Sequence, residues 1–507
     1  MTMTLSKSLK IKTENLVAYS HELDDSLVVT GDLGGDIGGI ALDSHKVVSG
    51  GLFVALQGLH SDGRNFIRDA LDAGATAILT DQRPIKVENH IAVLQSKAPE
   101  SLCAKLAVRL FGDQPHHQVL ITGTNGKTSV ADYTRQILTI LDLPAASVGT
   151  LGVQGSQKVV ACGGMTSPDS VEMANILAEL HGENIAHVSV EASSHGIVQC
   201  RLDGLAPKVA VFTGLGRDHL DYHGDIESYL AAKMRLFSTL LLDDGIALYA
   251  ADHEGSNEVQ RICERRGLQS LSYGIESGDI RACNLKRSPD GLAFDLHDAG
   301  MTQRVNLPLI GDFQCLNTLA AYGAVVASGV ARECAMKALN GLGPVAGRMQ
   351  KIGVTANGAR VFVDYAHTPD ALAAILADTR KHLSGRLWLG FGCGGDRDTG
   401  KRAVMGQVSE AADERVVCDD NPRSEDPALI RGQILSGTSQ NHITEIGDRA
   451  EAIAFLCQQA QSGDVVLIAG KGHEQGQVIG QVTQPFDDAQ EAQKYCIDGG
   501  RNDLAER

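Results

Sequence analysis

The sequence predicts an α/β protein built from three domains, and three observations carry that prediction. The chain has 507 residues, too many for one hydrophobic core and close to three domains at about 150 residues each. Near-continuous apolar runs alternate with helix-length segments from residue 117 onward, as in parallel strands buried on both faces. Polar and glycine-rich clusters follow those runs directly, where open α/β sheets carry their functional groups.

Residues 1–112 form the first of these units. In it, Leu42 to Gly58 runs strand, turn, strand, and a helix ending near Ala77 precedes the short strand Ala77-Ile-Leu-Thr. The second unit, 113–342, opens on His117-Gln-Val-Leu-Ile-Thr, an apolar strand that enters Gly123-Thr-Asn-Gly-Lys-Thr-Ser129. Gly123 and Gly126 allow a tight turn whose backbone N–H groups can face one anion. Lys127 adds a positive charge for terminal phosphates, and Thr128 or Ser129 offers a hydroxyl to magnesium. Val130 to Leu141 has helical spacing, which aims a helix N-terminus at the same place. The loop is shorter than the common P-loop, which would have its first glycine at Ile121; a glycine turn without nucleotide stays the alternative. The third unit, 343–507, repeats the alternation with Arg360-Val-Phe-Val-Asp, Leu387-Trp-Leu-Gly-Phe, Arg415-Val-Val-Cys-Asp and Asp464-Val-Val-Leu-Ile-Ala.

Bulk properties exclude several classes. Net charge is −17 with acidic residues spread along the chain, which argues against a nucleic-acid or anionic-membrane surface. Hydrophobic content is 43% and charged content 21%, an ordinary globular balance. The eleven cysteines include no Cys-x-x-Cys pair and no zinc spacing, so free thiols in a reducing cytoplasm are expected. No run reaches the ~18 apolar residues that span a bilayer.

Several strand ends carry candidate chemistry. Glu191 closes Val188-Ser-Val-Glu and can reach a metal held by the phosphate loop, or simply face solvent. Arg217, Asp218 and His219 crowd the loop after Val209-Ala-Val-Phe-Thr. Lys233 lies in a helical stretch, Ile226 to Leu240, where spacing alone gives it no role. In the third unit Asp364-Tyr-Ala-His, Gly392 to Arg397, Asp419 to Arg423 and Gly470 to Glu474 each follow a strand, and together they predict one shared cleft.

This ordered set, together with Thr166-Ser-Pro-Asp, Glu191-Ala-Ser-Ser-His-Gly, Gly311 to Asn317 and Gly347-Arg-Met, resembles the Mur ligase family, ATP-dependent amide-forming enzymes of peptidoglycan precursor synthesis. The resemblance implies an N-terminal UDP-substrate-binding domain, a central ATPase domain with a P-loop parallel sheet, and a C-terminal Rossmann-like domain for the incoming amino acid. It implies ATP and Mg2+ as cofactors, with ATP on Gly123, Thr124, Asn125, Gly126, Lys127, Thr128 and Ser129. Asn317, Arg348 and Asp364 serve the nucleotide from elsewhere. Thr128, Glu191, His219 and a carbamylated Lys233 hold magnesium, and Lys127, Glu191, His219 and Lys233 form the catalytic set.

For a UDP-N-acetylmuramoyl-dipeptide the matching positions are Leu42, Ser44, Leu59, His60, Ser61, Thr166, Ser167, Ser193, Gln199 and Arg201. For meso-diaminopimelate they are Arg397, Asp420, Asn421, Pro422, Arg423, Gly470 and Glu474, the arginine suiting a distal carboxylate that lysine lacks. Ser167, His45, Gln314 and Ala346 depart from the usual family residues, and none belongs to the phosphate or magnesium set. A cytoplasmic monomer is expected, with no nucleic-acid or membrane partner. The rivals are a lysine-adding ligase, a folylpolyglutamate synthase, and a regulatory nucleotide-binding protein without ligase activity.

Overall fold

Apolar runs that read as doubly buried strands become the parallel centres of three sheets. The structure is a computed structural model and describes residues 10–58, 61–157, 165–439 and 441–497. It divides into two compact units, residues 1–272 with 323–335, and residues 273–322 with 336–507. The chain is three-domain α/β in architecture, as predicted.

In the first unit the N-terminal sheet runs in the order Val28–Thr30, Ala92–Gln95, Ala75–Thr80, Gly51–Ala55, Ile40–Ala41, parallel except at its first edge. The helix expected to end near Ala77 stops earlier: it covers Ile67–Asp72, and Ala75 already belongs to the strand. Gly74, at φ +101°, breaks the helix there because only glycine takes that backbone readily.

The phosphate-loop sheet runs Gly152–Gln154, Ala145–Gly149, His187–Glu191, His117–Thr122, Val209–Phe212, Ile246–Ala250. All are parallel apart from the first pair. Its strands are buried along nearly their whole length, and Leu120, Val148, Val190, Phe212 and Met173 share one apolar core. Each large apolar side chain so buried contributes roughly 1.5–3 kcal/mol. Residues 226–240 are not one α-helix: Ile226–Arg235 is α-helical and Leu236–Leu240 widens into a π-turn.

In the second unit a sheet runs Ile443–Glu445, Glu414–Val417, Leu387–Phe391, Val465–Ala469, Arg360–Asp364, Gln350–Thr355, Cys496–Ile497. The first five strands are parallel and the last two antiparallel, with an apolar core on each face. The same unit holds an antiparallel meander, Ile280–Ser288, Gly291–Asp298 and Met301–Leu307. Among the described residues no helix is long and apolar enough to cross a membrane.

Candidate functional site

Thr122 ends its strand and the helix Lys127–Ile140 starts five residues on, so the glycine turn between them is short and closed. Gly126 caps the helix at φ +85°, and Gly123 sits at φ +150° where any Cβ would fall on Thr213 Oγ1. Thr213 Oγ1 in turn donates to Asn125 O at 2.5 Å, and Gly216 N donates to Thr124 Oγ1 at 2.8 Å, fixing the loop from the neighbouring strand end. Lys127 Nζ donates to the loop carbonyls of Gly123 (2.9 Å) and Thr124 (2.8 Å).

Glu191 is buried, not solvent-facing, with only 2% of its surface exposed. Thr128 Oγ1 donates to its Oε2 at 2.9 Å, so the strand-end carboxylate meets the phosphate-loop hydroxyl directly. Thr150, which no sequence motif singled out, supplies two more donors: its N to Oε1 at 2.7 Å and its Oγ1 to Oε2 at 3.2 Å. Gly149 allows this approach, since a Cβ there would overlap the Glu191 carboxylate. We expect Thr150→Val to lower kcat about tenfold while ADP affinity, read by calorimetry, changes little, because it loosens Glu191 without touching the loop.

Lys233 is the least expected member. It lies on a helix yet is 1% exposed, donates to Gly123 O at 2.9 Å, and stands 4.1 Å over the Tyr229 ring. Burial, then the nearby charge of Lys127, drives its amine well below the usual lysine range. Two amines therefore share one carbonyl oxygen. His219 is bonded to none of these groups. It occupies the left-handed region (φ +53°), pairs with Asp218 at 3.5 Å and packs its ring 4.8 Å from His195. A non-glycine residue in that region is uncommon, though histidine tolerates it better than most.

Of the proposed substrate residues, Thr166, Ser167, Ser193, Gln199 and Arg201 form a chain of bonds from Glu191 outward. Ser167 Oγ donates to Glu191 O at 2.8 Å and lies 3.0 Å from Ser193 Oγ. Thr166 Oγ1 lies 3.1 Å from Thr150 Oγ1. Arg201 donates to Ser167 O at 2.7 Å and to Gln199 Oε1 at 2.6 Å. Ser44 and Leu42 stand on a different element, beside the short strand Ile40–Ala41 of the N-terminal sheet; Ser44 is buried and opens a 3-10 turn capped by Asp43. Ser61 closes a turn with Gly58 at 2.8 Å, and its neighbours Leu59 and His60 lie outside the described residues.

The second unit gathers the remaining positions. Asp364 accepts from Met349 N and Ala366 N, both at 2.7 Å, and burial raises its carboxyl against the pull of Arg348. Arg348 stacks 4.6 Å from the Tyr365 ring, and its carbonyl accepts from Gln314, which bonds Asn317. Asn317, Arg348 and Asp364 are therefore one patch.

The four strand-end clusters also meet, as predicted. Gly470 N donates to Asp364 O at 3.1 Å and Gly395 N to Asn421 O at 2.9 Å; Arg423 Nη1 donates to Gly395 O at 2.7 Å and Asn421 Nδ2 to Glu474 Oε2 at 2.9 Å. Gly470 (φ +114°) leaves room for Asp420, whose Oδ2 would lie 2.8 Å from an added Cβ. Pro422 O accepts from Glu425 N, and Arg397 is exposed beside this cluster. Arg449, fully buried against Asp488, braces two of these strand ends through Ala469 O at 3.0 Å and Asp419 O at 3.4 Å. Nothing in its helix sequence signals that.

Among the described residues no group of three or more His, Cys, Asp and Glu converges as a metal cluster. The Glu191 carboxylate beside the Thr128 hydroxyl is a hard-oxygen pair that suits magnesium, whereas Lys233 suits it only after its amine gains oxygen donors.

Three family models match the chain in sequence order: the Mur ligase family catalytic domain over 36–109, the Mur ligase middle domain over 121–325, and the Mur ligase glutamate ligase domain over 347–472. The chain is 43% identical over 454 residues to the UDP-N-acetylmuramoyl-L-alanyl-D-glutamate--2,6-diaminopimelate ligase of Agrobacterium fabrum, covering 89% of this chain and 92% of the relative. It is 44% identical over 465 residues to the protein of the same name from Zymomonas mobilis, covering 90% and 94%. A solved structure of a ligase of that name has TM-score 0.70 and 31% identity, with 96% and 99% of the two chains covered. MurF from Acinetobacter baumannii, at 20% identity, TM-score 0.63 and coverage of 92% and 96%, shares the fold. On family models that reach into all three sheets and relatives that cover about nine-tenths of its length, the chain belongs to the Mur ligase family.

Proposed function

We propose that the protein is an ATP-dependent ligase that joins meso-2,6-diaminopimelate to UDP-N-acetylmuramoyl-L-alanyl-D-glutamate in peptidoglycan precursor synthesis. The observation that carries this reading is the identity of 43–44% across about 90% of the chain to ligases of that name. A carboxylate is inert toward amines because oxide is a poor leaving group. ATP therefore phosphorylates the γ-carboxylate of the D-glutamyl residue, releasing ADP. The amine then attacks the acyl phosphate, loses a proton, and phosphate departs.

In this reading the loop Gly123–Ser129 cradles the ATP phosphates, and Lys127 offsets charge on the transferring group. Asn317, Arg348 and Asp364 bind the rest of the nucleotide. Thr128, Glu191, His219 and Lys233 would hold magnesium, which when bound neutralises phosphate charge. The neutral Lys233 amine can add carbon dioxide and release a proton, giving a carbamate with the oxygen donors that an ammonium lacks. Leu42, Ser44, Leu59, His60, Ser61, Thr166, Ser167, Ser193, Gln199 and Arg201 take the UDP-dipeptide. Arg397, the 420–423 run, Gly470 and Glu474 take the diamino acid. We divide the chain at 1–112, 113–342 and 343–507, a division supported by the three separate family models. The reading has the enzyme act as a cytoplasmic monomer, since nucleotide-linked substrates and free thiols belong there.

Phosphate release by the purified protein with ATP, the UDP-dipeptide and a panel of amino acids tests the proposal. Diaminopimelate should give the highest kcat/KM. Preference for lysine or glutamate would overturn the substrate assignment, and ATP binding without any phosphate release would favour a regulatory protein.

A further inference from the structure

Between Gly470 and Glu474 lies a lysine that none of these roles uses. Lys471 has no exposed surface, and a buried ammonium is costly unless its three donors are all satisfied. They are: Nζ donates to Asn421 Oδ1 at 3.0 Å, Glu474 Oε2 at 3.1 Å and Gly476 O at 2.6 Å. Asn421 Oδ1 also accepts from Val478 N at 3.0 Å, so its oxygen faces two donors and its amide orientation is set. Its Nδ2 then donates to the same Glu474 Oε2 that Lys471 holds. Among the described residues Oε2 thus takes two donors and Oε1 none, so Glu474 keeps one oxygen for a ligand.

The third bond reaches beyond the carboxylate. Gly476 opens the hairpin Gly476–Ile479 and Val482–Pro485, which lies along the 420–423 run. Arg423 N donates to Val478 O at 3.0 Å, Gly480 N to Arg423 O at 2.7 Å, and Gln477 Nε2 to Asp420 O at 2.7 Å. One ammonium therefore ties together the carboxylate, the amide and the hairpin that holds the backbone of Arg423.

We propose that Lys471 is the positioning residue of the amino-acid pocket: it commits Glu474 Oε2, leaves Oε1 for an ammonium of the incoming diamino acid, and fixes the Asn421 amide and Arg423 beside it. The inference rests on the reading that this cluster takes diaminopimelate. An uncharged residue at 471 leaves Asn421 Oδ1 short of a donor and lets the Glu474 carboxylate rotate, which weakens amino-acid binding before it weakens phosphoryl transfer.

The test is steady-state kinetics of Lys471→Met in the full-length protein. Expected is a rise of about 30-fold in KM for diaminopimelate, with kcat within about threefold and ADP affinity unchanged, an effect typical of lost support behind a ligating group. Combining it with Glu474→Gln should add little to the worse single variant, since both remove the same presented oxygen. A folded variant with unchanged KM, or losses that simply add, would overturn the proposal. If Lys471→Met no longer binds ADP, Lys471→Gln, which keeps an amide donor, carries the same measurement; loss of ADP binding in both would mean a scaffold role and also overturn it. A wild-type protein that releases no phosphate with diaminopimelate would fail earlier, at the functional reading, and take this inference with it.

Discussion

Replacing Lys233 by methionine is expected to lower kcat about a thousandfold while the protein stays folded with a raised melting temperature. The two outcomes have separate causes. The amine sits in a site where only 1% of the residue is exposed, so an apolar side chain of similar length removes a desolvation cost. On the proposed reading the same change deletes the group that would become an oxygen ligand beside the phosphate loop, and a lost charge-stabilising group of this kind costs about 10²–10³ in rate.

The pH dependence follows from the lowered amine. For the unmodified amine, the folded state releases its proton at lower pH than the unfolded chain, whose lysine titrates near 10.5. Between those two points the unfolded state binds more protons, so the stability of the wild-type protein with an unmodified Lys233 rises with pH. Lys233→Met lacks that slope. Chemical denaturation at pH 7 and pH 9 reads the difference; a variant with unchanged kcat would remove Lys233 from the catalytic set.

Arg423→Lys should cut kcat/KM for diaminopimelate about a hundredfold, roughly 2.7 kcal/mol, and narrow the preference over lysine. Arg423 spends Nη1 on Gly395 O at 2.7 Å, and its Nε and Nη2 have no partner among the described residues. That edge of the guanidinium is the one that binds a carboxylate bidentately, which an ammonium cannot do. Its backbone lies in the left-handed region at φ +50°, held by the hairpin bonds to Val478 and Gly480. The substitution keeps the backbone and the positive charge, so KM for ATP should stay within about twofold. An unchanged amino-acid panel would place the distal carboxylate elsewhere.

The strand-end rule made much of this legible. Asp364, Gly392–Arg397, Asp420–Arg423 and Gly470–Glu474 are read from sequence because each follows a run too apolar for anything but a buried parallel strand, and the sheet brings those ends together. Glu191 was ambiguous by the same rule, since a strand end can face either way; the Thr128 bond and the space left by Gly149 decide it.

Other features depend on tertiary packing that periodicity does not encode. Thr150 follows Ser147-Val-Gly in an unremarkable strand end, yet its backbone N and side chain both hold Glu191. Lys233 looks like one more surface lysine until Tyr229 and the phosphate loop close over it. Arg449 and Lys471 are hidden for a related reason: buried cations are rare, so a lone Arg or Lys reads as solvated until its partners, scattered over 39 and 50 residues of sequence, are known. The early end of the helix at Asp72 was readable in principle, from Gly74.

In the proposed reaction an inert carboxylate is activated by phosphorylation before an amine attacks it. Oxygen-18 placed in the D-glutamyl γ-carboxyl group tests it most directly, with mass analysis of the inorganic phosphate released during turnover with ATP and diaminopimelate. One labelled oxygen per phosphate is predicted, because the leaving phosphate takes with it the oxygen through which it was attached. Phosphate free of label, alongside product formation, would mean that no acyl phosphate forms.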